Sequence, residues 1–240
     1  QLSRLLFDGE LTPAEAARAR AALSALNDRL VFGPVALPED PHVAEYRVQR
    51  GDILSRLPRR LGWNVGWRVV AEVSDVRNPA RLQVGQRIKG LVGPFHAVVT
   101  KRAHRLDVWM GDLAVAPIYV TSWPVGLGAD DRTPTGRWRV RSKDLNPAWI
   151  DPETGERFSR DDPLNPIGEA WIGLRGIDPL NADMDGYGIH GTIEPETIGT
   201  DASLGCVRLR HEEVLRLHEL LGDESLIVIR TSDDEPIAVP

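Results

Sequence analysis

The chain has 240 residues, 42% of them hydrophobic and 27% charged, so it can bury a core and does not have the composition of a disordered tail. A net charge of −6 disfavours broad phosphate neutralisation and with it a nucleic-acid partner, and no apolar run approaches the ~18 residues that cross a bilayer. A single cysteine, Cys206, excludes an internal disulfide and a cysteine zinc cluster. It is either a small buried hydrophobe or a reactive thiol. Only Lys89, Lys101 and Lys143 are lysine among 29 basic residues, which reads as genome composition rather than function. The chain begins at Gln1 with no signal-type apolar core, and looks processed or truncated.

Thr12-Pro13-Ala14-Glu15 offers a helix cap, a proline at the first helical position and a capping-box glutamate. Ala16, Ala19, Leu23, Leu26 and Leu30 follow at helical spacing, which predicts a helical docking arm. The segment 33–41, with Pro34, Pro38 and Pro41, reads as a linker, so that 1–41 forms an arm and its connection. From 42 to 92 the pattern is a short strand at Tyr46-Arg47-Val48, two helical stretches at 53–61 and 65–73, and a strand at 82–88. Strands are predicted at 96–100, 105–110, 114–123, 137–141 and 225–230, with Gly111-Asp112 as a hairpin turn. The segment 146–166 is a long loop fit for a lid or insertion, and one amphipathic helix runs over 211–221. This makes 93–232 a mainly β, sandwich-like unit with one C-terminal helix, followed by a tail at 233–240.

The chemistry concentrates between Gly186 and Leu209. A thiol with pKa ~8.5 is mostly protonated at neutral pH and needs a base or cation beside it. His190, set among glycines, is the best-placed base, and Gly205 frees the backbone to aim N–H groups at an oxyanion. By spacing alone, a buried structural cysteine and an unrelated histidine fit equally well. Other motifs fail. His211-Glu212-Glu213-Val214-Leu215 lacks the second histidine of a zinc-protease helix, and the calcium-like run Asn181, Asp183, Asp185, Gly186 meets Thr192 where glutamate is needed. The run 201–205 lacks the first glycine of a serine-hydrolase elbow, leaving Ser203 as a loop hydrogen-bonder.

Two resemblances follow from these residues. The segment 46–90 resembles a LysM domain through Tyr46, Val48, Gly51-Asp52, Leu54, Gly62, Asn64, Asn78-Pro79, Leu82, Val84-Gly85-Gln86 and Ile88. That implies a βααβ module binding the glycan strands of peptidoglycan. Pro58 departs from the pattern, as a mid-helix proline costs ~3 kcal/mol unless the helix starts there. His190-Gly191-Thr192 with Ser203-Leu204-Gly205-Cys206-Val207-Arg208, and the Thr133-Pro134-Thr135-Gly136 turn, resemble the L,D-transpeptidase catalytic domain (YkuD type). Leu204 departs from the histidine often found two before the cysteine.

The second resemblance implies Cys206 as nucleophile and His190 as base, oriented through the Gly191 carbonyl. It implies an oxyanion hole from the Gly205 and Cys206 N–H groups, and Arg208, Ser203 and Tyr187 toward substrate. The implied reaction is acyl transfer from a tetrapeptide stem with release of D-alanine, outside the cytoplasm, without metal or organic cofactor. An L,D-carboxypeptidase using water, or an inert wall-binding protein, are the alternatives.

Overall fold

The computed structural model describes residues 1–37 and 39–239; Pro38 of the expected linker lies outside the described residues. Two helices open the chain, α1 (Leu2–Phe7) and α2 (Pro13–Leu30). The capping box forms as predicted: Thr12 Oγ1 accepts from the Glu15 N–H, and the Glu15 carboxylate accepts from the Thr12 N–H at 3.0 Å. The inward stripe differs in one residue. Leu26 is exposed and Asn27 is buried in its stead, one position on and back in phase with Ala16, Ala19 and Leu23.

The next segment is βααβ: β1 (Val43–Arg47), α3 (Leu57–Leu61), α4 (Trp67–Val73) and β2 (Arg87–Leu91), with β1 and β2 antiparallel. Pro58 falls in the first turn of α3, where its missing N–H leaves no helical bond unmade. The second strand lies at 87–91 rather than 82–88, because Gly85 adopts a left-handed turn that ends the preceding loop.

The remaining strands are β3 (Phe95–Thr100), β4 (Arg105–Met110), β5 (Ile118–Pro124), β6 (Leu127–Gly128), β7 (Gly136–Leu145), β8 (Trp149–Ile150), β9 (Arg157–Phe158), β10 (Ala170–Gly176), β11 (Gly188–His190), β12 (Asp201–Ser203), β13 (Val207–Arg208) and β14 (Leu226–Arg230). The helix α5 (His211–Leu220) precedes β14. Eight strands form one mixed sheet in the order β13-β11-β10-β7-β14-β3-β4-β5. The expected sandwich-like unit is thus a single mainly β sheet with the C-terminal helix and the βααβ segment packed on one face. The loop 146–166 contains the β8–β9 hairpin, and β5 begins at 118 because residues 111–117 form a wider connection than a two-residue turn.

Period-two alternation feeds two cores. Phe95, Ala97, Val99, Leu106, Val108, Ile227 and Ile229 face one cluster with Val214 and Leu217 of α5. Val98, Trp109, Tyr119, Leu226 and Val228 face the other, with Leu6 and Phe7 of α1 and Ile237 of the expected tail. The first cluster also takes in Leu54, Trp63 and Val70, so the βααβ segment shares the core of the sheet. Arg216 of α5 pairs with Glu72, and Arg68 with Glu219, across that junction.

The arm docks on the chain's own sheet. Asn27 Nδ2 donates to the carbonyls of Tyr119 at 2.6 Å and Val120 at 3.2 Å, covering the edge strand β5. The three lysines all serve as carbonyl caps. Lys89, 3% exposed, donates to Leu30, Val31 and Gly33 at the end of α2, at 2.6, 2.9 and 2.8 Å. Lys143 donates to His218 and Leu221 at the end of α5, and Lys101 to Thr133. A compact ammonium with three donors converges on clustered carbonyls in a way a planar guanidinium does not.

Replacing Lys89 with Met orphans three carbonyls, so the unfolding free energy should drop by about 3 kcal/mol, at ~1 kcal/mol or more per acceptor. Lys89→Arg should recover less than half of that. Urea unfolding measures both, and an unchanged midpoint for Lys89→Met would refute the capping role.

Candidate active site

Cys206 and His190 come to one cavity because of one short pairing. β11 and β13 run parallel with Ile189 opposite Val207 and His190 opposite Arg208. Alternation then sends Ile189 and Val207, both essentially fully buried, to the α5 side. His190, Arg208 and Cys206 are left on the other face. β13 is clamped on its far side by Gly126, which exchanges both backbone hydrogen bonds with Arg208, at 3.0 and 2.8 Å.

The three residues line a cavity of about 270 Å³, together with Trp149, Pro152, Ile167, Trp171, Tyr187, Ser203 and Leu204. A wider cleft of about 510 Å³ beside Trp63, Lys143 and Glu224 holds neither cysteine nor histidine.

The loop before Cys206 is built by Ser203 and Gly205. Gly205 sits at φ +133°, where a Cβ would also lie 3.0 Å from both the Arg132 carbonyl and the Tyr187 ring. Any other residue is strained there by the backbone conformation and crowded by both neighbours. Ser203 Oγ donates to the Cys206 carbonyl at 2.7 Å and accepts from the Gly205 N–H at 3.1 Å. The Gly205 N–H, expected to face an oxyanion, is thus committed to Ser203, and the Cys206 N–H is the remaining donor of the pair. The Thr133-Pro134-Thr135-Gly136 turn acts at one remove. Thr133 Oγ1 accepts from the Gly128 N–H at 2.8 Å, and β6, which contains Gly128, pairs with β12 just ahead of the cysteine.

Three buried histidines are told apart by their nitrogens. His96 uses both, accepting from the Leu226 N–H and donating to the Gly111 carbonyl, each at 3.0 Å, and is a structural clamp. His218 uses neither and lies on α5 away from the cavity. His190 uses one. Its Nδ1 is 2.6 Å from the Gly191 carbonyl, which can only accept, so the proton sits on Nδ1. Nε2, which makes no hydrogen bond among the described residues, therefore carries the lone pair.

Burial lowers the His190 pKa to about 4, and Arg208 pushes the same way against the carbonyls of Gly191 and Ile167. Burial raises the Cys206 pKa to about 11, opposed by a Gly188 backbone hydrogen bond and by Arg208. The Cys206 thiol faces the Gly186 carbonyl at 3.6 Å. At neutral pH the pair is thiol and neutral imidazole, not thiolate and imidazolium.

Arg208 is held by Glu194 and Thr197, both at 3.3 Å, while its Nε is buried without a partner. Tyr187 packs against Trp138 with centroids 5.7 Å apart. Of the calcium-like run, Asn181 is spent on structure: its amide donates to the Arg137 carbonyl and accepts from the Asp178 N–H. No group of three or more metal-ligating side chains occurs among the described residues. Trp149 and Trp171 were not foreseen as site residues. The glycines at 173 and 188, which leave room for an indole, were the available signal for Trp171.

In this mainly β domain a cysteine at the entry to β13 and a histidine at the end of β11 line one cavity. The family model of the YkuD-type L,D-transpeptidase catalytic domain matches residues 94–229, and the chain belongs to that family. It is similar to a Bacillus subtilis (strain 168) protein named "Putative L,D-transpeptidase YqjB", 34% identical over 152 residues, covering 62% of this chain and 80% of that one. It is also similar to "Putative L,D-transpeptidase YkuD" of the same organism, 25% identical, covering 77% and 97%. Among solved structures, L,D-transpeptidase 3 from Mycobacterium tuberculosis matches with a TM-score of 0.43 and 12% identity, over 79% of this chain and 92% of that chain.

Because the thiol is raised, its alkylation midpoint should lie above the ~8.5 of a free cysteine. Arg208→Met should move it higher still, since a favourable cation is lost. His190→Ala should not lower it, because a neutral ring holds no charge to withdraw. Iodoacetamide labelling against pH reads all three by mass without background from other thiols. A wild-type midpoint below 8.5 would overturn the neutral-pair description.

Proposed function

We propose that the protein is a peptidoglycan L,D-transpeptidase working through a cysteine acyl-enzyme. One observation carries this: in a chain of this family, the β11–β13 pair puts a thiol and a half-committed neutral imidazole on one wall of one cavity. Cys206 Sγ attacks the carbonyl between the third residue of a tetrapeptide stem and its terminal D-alanine. His190 Nε2 takes the thiol proton as the C–S bond forms, and returns it to the departing amine of D-alanine. The amine of a second stem then attacks the thioester. His190 accepts its proton and delivers it to sulfur, restoring the thiol. The Cys206 N–H is the donor for the tetrahedral oxyanion, and the unpartnered Arg208 Nε is the donor available to a stem carboxylate. The substrate places this work outside the cytoplasm. Among the described residues no helix is long and apolar enough to cross a membrane.

The βααβ segment is read as a LysM-like glycan-binding module. Its strand–helix–helix–strand order supports this, as does the knot in which Tyr46 Oη and Arg60 both donate to Asp52, at 2.9 and 2.7 Å. Since the segment shares the core of the sheet, deleting it would unmake the fold, and point variants on its outer face are the proper probe. Ile53 is 48% exposed and Val84 70%, and both belong to the loops flanking the strands.

Incubation with purified tetrapeptide dimers, followed by mass analysis, should give cross-linked product and free D-alanine, and Cys206→Ala should give neither. Free tripeptide with no cross-link would make water the acceptor. Release of D-alanine by Cys206→Ala would refute the assignment. The double variant Ile53→Asp/Val84→Asp should reduce sedimentation with insoluble peptidoglycan several-fold while turnover of soluble stem is retained. Unchanged sedimentation would make the segment a spacer.

A further inference from the structure

The ring of His190 has a neighbour that the reaction scheme does not use. Trp171 lies directly opposite it on β10, and the two rings stack with centroids 5.9 Å apart and planes 23° apart. Two residues along, on the same face, Gly173 lies opposite Gly188. This bare pair is the bed of the indole. A Cβ on Gly188 would come within 2.5 Å of the Trp171 six-membered ring, and one on Gly173 within 2.9 Å of its Nε1. Neither distance is met by real side chains, so both positions stay bare beside the indole, and at Gly173 the Ser142 hydroxyl, 2.6 Å from such a Cβ, adds to the exclusion.

We propose that Trp171 is a positioning residue for His190: bedded on Gly173 and Gly188, its indole holds the imidazole plane so that Nδ1–H stays on the Gly191 carbonyl and Nε2 keeps its lone pair toward the cavity. The assignment rests on the reading of His190 as the general base. The physics is that of a flat wall. The Nδ1–H bond decides which edge of the ring faces the Gly191 carbonyl, and the stacked indole limits rocking of the ring plane about Cβ–Cγ, a broad torsion that one hydrogen bond holds loosely. The same wall excludes water from one side of the imidazole and so disfavours its protonated form. The other titratable or charged groups lining the cavity are Cys206, Arg208, Asp185 and Tyr187, and Arg208 is the one whose charge acts on the ring.

Trp171→Leu removes the wall, Trp171→Phe retains a flat ring, and Gly188→Ala keeps the indole but lifts it off its bed. Turnover of tetrapeptide stem should drop at least tenfold in kcat for Trp171→Leu, with KM within threefold, and Trp171→Phe should recover most of the loss. The acid limb of kcat/KM, which follows protonation of His190, should rise from near pH 4 toward ~6.5, the value of an unhindered imidazole. Gly188→Ala should reproduce both changes even if Trp171→Leu fails to fold. A rise in KM alone would make Trp171 a substrate wall and overturn the proposal, as would an unmoved acid limb. Nitrogen-15 NMR of the His190 ring in a Cys206→Ala background reads tautomer and protonation without any turnover. It should show a single Nδ1–H tautomer with Trp171 in place and a mixture with Trp171→Leu. A ring that stays a single tautomer in Trp171→Leu refutes the positioning role itself. Loss of the general-base reading would instead show as full turnover in His190→Ala.

Discussion

Everything chemical in this molecule depends on a two-residue parallel ladder. β11 and β13 pair over Ile189–Val207 and His190–Arg208 alone, and that register decides which side chains meet. A slip of one residue would turn His190 into the core and bring Ile189 to the cavity, since strand side chains alternate strictly. The surrounding structure holds the register from both sides: Gly126 bonds the outer edge of β13, the Leu209 N–H donates to the His190 carbonyl at 2.9 Å, and the Ser203–Gly205 loop fixes the entry of the cysteine. Short ladders are weak in isolation. This one is a template set by its neighbours.

The same register explains the electrostatic character of the site. Burial acts on both partners in the direction of neutrality, lowering the imidazole and raising the thiol. A neutral pair has little charge to lose on desolvation by substrate, and charge develops only as the thiol proton moves. Donors already in place can then act on the charge where it appears, which is where preorganised dipoles are worth most.

Local chemistry announced itself in the sequence wherever one residue type has one physical use. The α2 capping box, the strand at 105–110 and the C-terminal helix with Val214 and Leu217 inward all agree with the structure, and Cys206 and His190 line one cavity. What stayed hidden depends on partners distant in sequence. The strand β10 is interrupted by glycines that look like turn signals, yet Gly173 is bare because the Ser142 hydroxyl and the Trp171 indole occupy the space a Cβ would take. The Gly205 N–H is diverted by a serine two residues away, a choice only the folded loop reveals. Lysine scarcity looked like composition, and the fold shows each of the three placed under a cluster of carbonyls. A sandwich-like unit was expected from many short strands with one helix, and the strands instead join in one eight-stranded sheet whose two faces are packed by the βααβ segment and α5 on one side and by α1 on the other.

The most direct test of the central claim is to trap the acyl-enzyme. The protein should be mixed with tetrapeptide stem in the absence of any acceptor amine, quenched in acid, and digested for mass analysis. The account predicts one modified peptide, the one containing Cys206, heavier by the tripeptide acyl group, with one equivalent of D-alanine released. The adduct should be absent in Cys206→Ala and should form far more slowly in His190→Ala. An acyl group on any other residue, or adduct formation at the wild-type rate without His190, would contradict it.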